Sequence, residues 1–317
     1  MSLINHAINS VTAFAPATSA NFSVGFDIMG AALEGIGDTL TLIKRTDSII
    51  SLTRVSGVEG SRNLPIDPHK NIATAVIMKL QKDFKVNFGF NVELEKGIPI
   101  GSGMGGSSAS AVAAVIAFSG FLNKPLTINK IIDYALFGEA IASSATHGDN
   151  IIPAILGGFL LINSLERYKF TRLPNLGMEL IIIHPDMEIK TSDARELLEP
   201  PFLLKNITNH QQNLASVIVG LYTSDISLLK DHMVDKLIEP RRKKIIPFFD
   251  EVQQVAMEEG AIACSISGAG PAIFALSLEK TNKIAKAMRE VVVNSGYKAN
   301  IHLSSLEAPG ASIQEVR

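Results

Sequence analysis

A glycine-rich segment followed by two serines is the part of the chain best suited to chemistry. Residues 101–106 read Gly-Ser-Gly-Met-Gly-Gly, and Ser107 and Ser108 follow directly. The alanine-rich apolar run over 109–118 predicts a helix. Glycines allow a close approach of the backbone to a ligand, and the first N–H groups of a helix attract anions. The segment therefore predicts a phosphate site at a helix N-terminus.

Three known loops compete for this segment, besides a plain glycine turn between a strand and a packed helix. A Walker A loop needs a lysine where Ser107 stands. The dinucleotide pattern G-x-G-x-x-G is present, but the nearest acidic candidate, Asp133, lies in a second helical segment. A nucleophile elbow would need glycine at position 109, where the chain has alanine. These patterns alone leave the kind of loop open.

A wider segment, Pro99–Ala109, resembles the second motif of the GHMP small-molecule kinases, P-x-x-x-G-L-G-S-S-A. Met104 replaces the leucine, and Gly106 replaces the first serine. Ala15–Asp27 and Ile266–Phe274 resemble motifs one and three of the same superfamily, in the same order. The resemblance extends from about residue 13 to the end of the chain. Segments that resemble the homoserine kinases within this superfamily are Asn21 with Asp27, His147–Asn150, Thr191–Arg195 and Glu239–Arg242.

The mixture of helix and strand patterns predicts an α+β or α/β fold. Alternating polar and apolar residues over 87–95 indicate a half-buried strand, and the apolar run over 179–184 indicates a buried one. The resemblance implies the α+β class with a two-domain GHMP kinase fold. An ATP-binding domain of the ribosomal S5 domain-2 type would occupy residues 1–165, and a ferredoxin-like substrate-binding domain residues 166–317. The active site would lie between them.

Composition limits the classes of function. Of the 317 residues, 46% are apolar, so the chain can bury a large core. The net charge of −2 provides no basic field for nucleic acid, and the basic run over 241–244 is short. The scattered histidines do not indicate a zinc site. The single cysteine and the lack of a signal or membrane-spanning pattern predict a cytoplasmic protein without a membrane or nucleic-acid partner.

ATP and Mg²⁺ are the cofactors that the resemblance implies. Residues expected to bind ATP are Asn71 on the adenine side, Pro99, Ile100, Gly101, Ser102, Gly103, Met104, Gly105, Gly106, Ser107, Ser108 and Ala109. The magnesium ligands would be Ser107 and Glu139, hard oxygen donors of the kind that this ion prefers. An ungapped alignment favours Ser107 over Ser108, although Gly106 leaves the register open.

The acceptor that the resemblance implies is L-homoserine, phosphorylated on its side-chain hydroxyl in a step toward threonine. Arginine binds carboxylates bidentately, so Arg195 and Arg242 would hold the acceptor carboxylate. Asp27 and Asn21 would hold its ammonium group. The expected substrate-binding set is Asn21, Asp27, His147, Asn150, Thr191, Arg195 and Arg242. The expected catalytic set is Asn150, Glu139 and Ser107.

No dedicated carboxylate base is expected, because the loose transition state of phosphoryl transfer requires little early deprotonation of the hydroxyl. Asn150 would orient the hydroxyl, and its neighbour Asp149 is the residue that would overturn this expectation. Two other functions stay open. One is a GHMP kinase with another alcohol acceptor, such as a mevalonate-type enzyme, and the other is a catalytically silent sensor of nucleotide and ligand. A homodimer stays open too.

Overall fold

The computed structural model describes residues 3–61, 64, 65, 67–143, 147–199 and 201–317, without the side chains of residues 142 and 143. The strands in these ranges are β1 (Ser10–Ala20), β2 (Met29–Lys44), β3 (Ile50–Gly57), β4 (Phe90–Lys96), β5 (Phe159–Ser164), β6 (Lys169–Arg172), β7 (Glu179–Pro185), β8 (Ala263–Ile266), β9 (Ile273–Ser277), β10 (Ala299–Ser305) and β11 (Ser312–Val316). The helices are α1 (Ile72–Asp83), α2 (Gly106–Ser119), α3 (Ile128–Ser143), α4 (Gly148–Leu156), α5 (Thr191–Glu196), α6 (Leu204–Thr223), α7 (Ile226–His232), α8 (Glu239–Arg242), α9 (Phe249–Glu258) and α10 (Thr281–Asn294). Within these ranges, no helix is long and apolar enough to cross a membrane.

The first sheet is built around the long antiparallel pair of β1 and β2. Its strand order is β11-β1-β2-β4-β3, while β5 pairs with the start of β2 and β6 pairs with β5. Side chains alternate across the sheet, so Leu40 and Leu42 are fully buried, whereas the hydroxyl groups of Thr12 and Thr41 meet at 2.9 Å on the opposite face. One face of this sheet is therefore apolar and needs a covering layer.

Helices α1 to α4 supply that layer, with α2 at its centre. The alanine and valine side chains of α2 are small enough for close packing on several sides, and Val112 and Val115 are fully buried. Gly105, in the left-handed conformation with φ +66°, ends the preceding loop and fixes where α2 begins. The helix predicted after the glycine segment is confirmed, and its first turn points out of the core.

The second sheet has the antiparallel order β10-β7-β9-β8 and lies next to α9 and α10. Alternation along β7 places Leu180 and Ile182 in the core that includes the first sheet. Ile181 and Ile183, on the opposite face, pack with residues of α9 and α10. Both faces of β7 are therefore buried, which agrees with the apolar run that predicted this strand.

Two strands beyond residue 165 belong to the first sheet. β6 pairs with β5, and the C-terminal strand β11 pairs with β1, where Val316 lies opposite Val11. A boundary between residues 165 and 166 would assign both strands to the second domain. The chain instead completes the second sheet and then returns to the first, so the position of a domain boundary stays a prediction that must accommodate both strands.

A buried histidine on the second sheet predicts acid-sensitive folding. His184 of β7 is 7% exposed, and its two ring nitrogens have no hydrogen-bond partner among the described residues. Burial, and then the neighbouring His302, lower the pKa of His184 to about 4. Because the folded state disfavours the protonated ring, its stability should fall as the pH drops below the ordinary pKa of 6.5 toward 4.

We expect the free energy of unfolding of the wild-type chain to decrease between pH 7.5 and pH 5 by about 2 kcal/mol more than that of His184→Leu. Leucine does not titrate and suits the apolar surroundings. Urea denaturation of both proteins at the two pH values measures the difference. Equal pH dependence in both proteins would contradict the assignment to His184.

Candidate active site

A cleft open to solvent, with about 1270 Å³ of empty space, lies between the glycine loop and loops of the second domain. Most of the residues expected from the sequence form its wall. They are Asn21, Asp27, Asn71, Pro99, Ile100, Gly101, Ser102, Gly103, Gly105, Gly106, Ser107, Ser108, Glu139, His147, Asn150, Thr191, Arg195 and Arg242. Met104 and Ala109 do not, because both are fully buried. Their side chains pack into the core and leave only the backbone for a ligand.

The glycine loop adopts a conformation that other residues rarely take. Gly101, Gly103 and Gly105 have φ values of +63°, +79° and +66°. A Cβ at position 103 would lie 2.6 Å from the Ser267 carbonyl oxygen, and one at position 105 would lie 2.0 Å from Thr18 Oγ1. Glycine lets the loop pass between β1 and the turn after β8. The first turn of α2 then faces the cleft with its unpaired N–H groups, as an anion site requires.

A buried ion pair, Lys96 with Asp38, is hydrogen-bonded to both ends of the glycine loop. Lys96 pairs with Asp38, and both side chains are almost completely buried. Lys96 Nζ also donates to the Gly106 carbonyl oxygen at 2.9 Å, while Asp38 Oδ1 accepts from the amides of Gly97 and Ile98 at 3.2 and 3.3 Å. A buried ion pair is tolerated when further hydrogen bonds satisfy it, as here. The cluster therefore holds both ends of the loop.

Ser108, and not Ser107, contacts Glu139. Ser108 Oγ donates a hydrogen bond of 2.9 Å to Glu139 Oε2, which joins the start of α2 to α3. Consecutive residues of a helix point about 100° apart, so only one of the two serines can face α3. Ser107 also lines the cleft. The choice of Ser107 as a magnesium ligand stays a prediction, and the bond between Ser108 and Glu139 makes Ser108 the alternative.

This arrangement fits a magnesium ion that is shared with phosphate oxygens. No group of three or more His, Cys, Asp or Glu side chains in the described part of the chain is placed to hold a metal. Magnesium usually takes one or two protein oxygens together with waters and substrate phosphates. The Ser108 hydroxyl and the Glu139 carboxylate, 2.9 Å apart beside the anion site, match that ligand set.

Asp27 is a further wall residue of the cleft, and two basic side chains contact its carboxylate. Arg195 Nη2 is 3.3 Å from Asp27 Oδ1, and His147 Nδ1 is 3.3 Å from Oδ2. Burial lowers the pKa of His147, while Asp27 acts in the opposite direction. The Asn21 side chain supports this turn, because its Oδ1 accepts from the Asp27 amide at 3.1 Å and its Nδ2 donates to the Gly268 carbonyl at 2.8 Å. The Asp27 carboxylate therefore lies beside the Arg195 guanidinium, so this part of the cleft offers partners for both charges of an amino acid.

Arg242 is a second arginine in the cleft wall, and it is more buried than Arg195. It is 3% exposed, donates from Nη1 to the Gly268 carbonyl at 2.8 Å and lies 5.0 Å from the ring centre of Phe26. Burial lowers the pKa of Arg242 to about 10, so it stays charged at neutral pH. The adjacent Arg241 turns away and stacks on Phe202 at 3.7 Å. The structure thus places Arg242 in the cleft wall and Arg241 against Phe202.

Helix α4 places Asp149 and Asn150 in the wall of the same cleft. Asp149 is 3% exposed and lines the cleft, and its Oδ1 has no hydrogen-bond partner among the described residues. Burial, and then the charge of Asp27, raise the pKa of Asp149 to about 7. Asn150 Oδ1 accepts a hydrogen bond of 2.7 Å from Thr18 Oγ1. Both side chains of this pair are within reach of a ligand that spans the cleft.

Asn71 has a structural role in addition to the one expected for it. Sequence reasoning also missed several residues of the cleft wall. Asn71 is 4% exposed and caps α1, since its Oδ1 accepts from the amides of Ala73 and Thr74, so a contact with adenine stays a prediction. Wall residues that the sequence did not single out include Lys70, Lys96, Ser110, Ile189, Gly268, Ala269 and Gly270. The third motif offered a signal for the last three, because another glycine turn approaches the loop there.

Comparisons with known proteins agree with this geometry. The family model "GHMP kinases N terminal domain" matches residues 71–158, and "GHMP kinases C terminal" matches residues 217–294. The homoserine kinase of Xylella fastidiosa (strain M12) is 40% identical over 304 residues, which cover 95% of this chain and 93% of that protein. The homoserine kinase of Chlorobium phaeovibrioides is 36% identical over 321 residues, which cover 96% of this chain and all of that protein.

Solved structures give the same result at the level of the fold. The crystal structure of homoserine kinase from Cytophaga hutchinsonii superposes with a TM-score of 0.91 at 34% identity, covering 96% of this chain and 97% of that one. A mevalonate kinase from L. major, at 15% identity and a TM-score of 0.73, shares the fold alone. The two-domain GHMP kinase fold expected from the sequence is confirmed. The chain belongs to the homoserine kinase family of the GHMP kinases.

Proposed function

We propose that the chain transfers the γ-phosphoryl group of ATP to the side-chain hydroxyl of L-homoserine. The acceptor oxygen forms a bond to phosphorus, the bond from phosphorus to the β–γ bridging oxygen breaks, and ADP leaves with that electron pair. The observation that carries this proposal is one cleft whose wall contains both the helix N-terminus that can bind an anion and the group of Asp27, Arg195 and Arg242. Asn150 is part of the same wall.

At the nucleotide end, the N–H groups of the glycine loop would bind the phosphate oxygens. Ser108 and Glu139 would hold a magnesium ion, which offsets the charge on the β- and γ-phosphates when bound. The cluster of Lys96 and Asp38 keeps the loop in place, so little reorganisation should accompany binding. Phosphoryl transfer asks mainly for such positioning and charge complementarity.

At the acceptor end, the charges suit a small zwitterion. Arg195 and Arg242 would hold the carboxylate, and Asp27 and Asn21 the ammonium group. In the structure Arg195 and Asp27 are paired at 3.3 Å, so neither charge is left without compensation before the ligand arrives. An acceptor without an ammonium group would leave Asp27 facing a second carboxylate. That repulsion argues for an amino acid and against a mevalonate-type acceptor.

The pH dependence of kcat distinguishes an orienting Asn150 from a basic Asp149. We expect Asn150→Ala to lower kcat more than Asp149→Asn, and the decrease of kcat at acid pH to persist in Asp149→Asn. The reason is that the hydroxyl proton can leave late, to a phosphate oxygen or to water. Profiles of kcat against pH for the two variants and the wild type provide the measurement.

Asp149 is nevertheless a candidate for the general base, and that role would contradict this expectation. Its pKa of about 7 is the value that a general base needs near neutral pH. Asp149 lines the cleft, and its buried Oδ1 has no hydrogen-bond partner among the described residues. If Asp149→Asn lowers kcat about a thousandfold and abolishes the acid limb, Asp149 is the base. The proposal that Asn150 alone orients the hydroxyl would then be wrong.

A screen of acceptors tests the proposed function. ADP release would be measured with ATP, magnesium and each of homoserine, threonine, serine, mevalonate and shikimate. We expect homoserine to give the highest kcat/KM. Turnover with mevalonate but not with homoserine would contradict the proposal, and turnover with none of the five would favour a silent sensor. A cytoplasmic location and a homodimer remain predictions that this screen does not address.

A further inference from the structure

Thr18 of β1 is a buried residue that joins three parts of the active site. It is fully buried, and its backbone amide donates to the Met104 carbonyl oxygen at 3.1 Å, so the strand is bonded directly to the glycine loop. Its hydroxyl donates to Asn150 Oδ1 at 2.7 Å, which reaches across 132 residues of sequence to α4. A threonine in the middle of a strand carries no chemical signal in the sequence.

The backbone around Thr18 is shaped to permit this contact. A Cβ at position 105 would lie 2.0 Å from Thr18 Oγ1 and 2.9 Å from Asn150 Oδ1, so Gly105 leaves just enough room for the hydrogen bond. The ladder between β1 and β2 is irregular between Pro16 and Thr18, which frees this part of β1 to bond to the loop. The Thr18 hydroxyl on β1 therefore lies against both the glycine loop and Asn150 of α4.

A side-chain amide can present either its oxygen or its nitrogen to a ligand, and its hydrogen-bond partners decide which. We infer that Thr18 is a positioning residue for phosphoryl transfer. Its hydroxyl engages Asn150 Oδ1 and thereby directs the Nδ2 group toward the acceptor hydroxyl. This inference rests on the proposed function, because it assigns the orientation of a group that would touch the acceptor.

The orientation has a chemical consequence. An N–H donor that binds the acceptor oxygen leaves that oxygen a lone pair for attack on phosphorus, and it sends the hydroxyl proton toward another acceptor. If the amide turned by 180°, Oδ1 would face both the hydroxyl and the negatively charged γ-phosphate. Attack would then be misaligned, even though both substrates could still bind.

Substitutions that remove or keep the donor test this role. Thr18→Val keeps the shape and β-branching of threonine without the donor, and Thr18→Ser keeps the donor. Thr12→Val is the matched control, because Thr12 lies on the same strand and bonds only to Thr41 on the far face in the described structure. Asn150→Ala and the double variant with Thr18→Val complete a thermodynamic cycle.

We expect Thr18→Val to lower kcat about 10- to 100-fold while the KM values for homoserine and ATP change less than about threefold. Thr18→Ser should retain at least about a third of wild-type kcat, and Thr12→Val should match the wild type. Adding Thr18→Val to Asn150→Ala should cause no further loss, since the residue to be positioned is already absent. Thermal melts report whether each variant is folded, and Thr18→Ala replaces Thr18→Val if the latter is not.

Wild-type kcat in the donor-free variant would overturn the inference, and so would multiplicative losses in the double variant. A parallel rise of both KM values with a lower melting temperature would mean that Thr18 only packs the loop. The wild-type reaction separates this result from a failure of the proposed function. If wild-type protein does not phosphorylate homoserine, the function is wrong, and the Thr18 variants are then compared with the alcohol that the wild type does accept.

Discussion

Glu139→Gln is expected to lower kcat about 100- to 1000-fold without unfolding the protein. The amide keeps the size of the carboxylate and can still accept a hydrogen bond from Ser108, whose Oγ is 2.9 Å from Glu139 Oε2. It lacks the negative charge that would help to hold magnesium beside the phosphates. Steady-state kinetics across a magnesium titration provide the measurement, and the loss should be largest when magnesium is limiting.

Asp133→Asn is the matched control for this prediction. It removes one carboxylate charge from the same helix, at a side chain that is exposed and bonded to Tyr168. We expect wild-type kcat and an unchanged magnesium dependence. Wild-type activity of Glu139→Gln at limiting magnesium would exclude Glu139 from the metal site, and equal losses in both variants would point to the net charge of α3.

Arg242→Ala and Arg195→Ala should act mainly on the use of homoserine. A hydrogen bond to a charged group contributes roughly 1.5–3 kcal/mol, so kcat/KM for homoserine should fall at least about 10- to 200-fold. The KM for ATP should change little, because the proposed role of both arginines is to bind the acceptor and not the phosphates. Arg242→Ala should have the larger effect, since Arg242 is 3% exposed and water screens its charge poorly.

Arg241→Ala separates recognition of the acceptor from general effects of charge. Arg241 neighbours Arg242, but it stacks on Phe202 and donates to the Leu198 and Pro201 carbonyls. We expect its kcat/KM to stay within about threefold of the wild type. If Arg242→Ala reduced the use of both substrates equally, its bond to the Gly268 carbonyl would be its main contribution, and the role in binding the carboxylate would be wrong.

Local patterns predicted the glycine loop and the helix that follows it. Glycines at 101, 103 and 105 were needed because the loop adopts positive φ and lies close to Glu188, to the backbone of Ser267 and to Thr18, and the glycine pattern is visible in the sequence. The choice between Ser107 and Ser108 was not visible. It depends on where α2 begins and therefore on which side chain faces α3, and both are set by the packing of two helices.

Long-range contacts explain most of what the sequence did not reveal. Asp38 sits in the middle of β2 and Lys96 at the end of β4, and only the pairing of these strands brings them under the loop. The return of β11 to β1 joins the two ends of the chain, for which no local pattern exists. Thr18 resembles any strand threonine until α4 is placed beside it.

We propose above all that the cleft brings ATP and homoserine together for direct transfer of the γ-phosphoryl group. Phosphorus NMR of a reaction of the purified protein with ATP, magnesium and L-homoserine tests it most directly. We expect loss of the γ-phosphate signal and growth of one phosphomonoester signal coupled to the methylene protons next to the homoserine side-chain oxygen. Inorganic phosphate as the sole new product, or an ester that forms with mevalonate and not with homoserine, would contradict it.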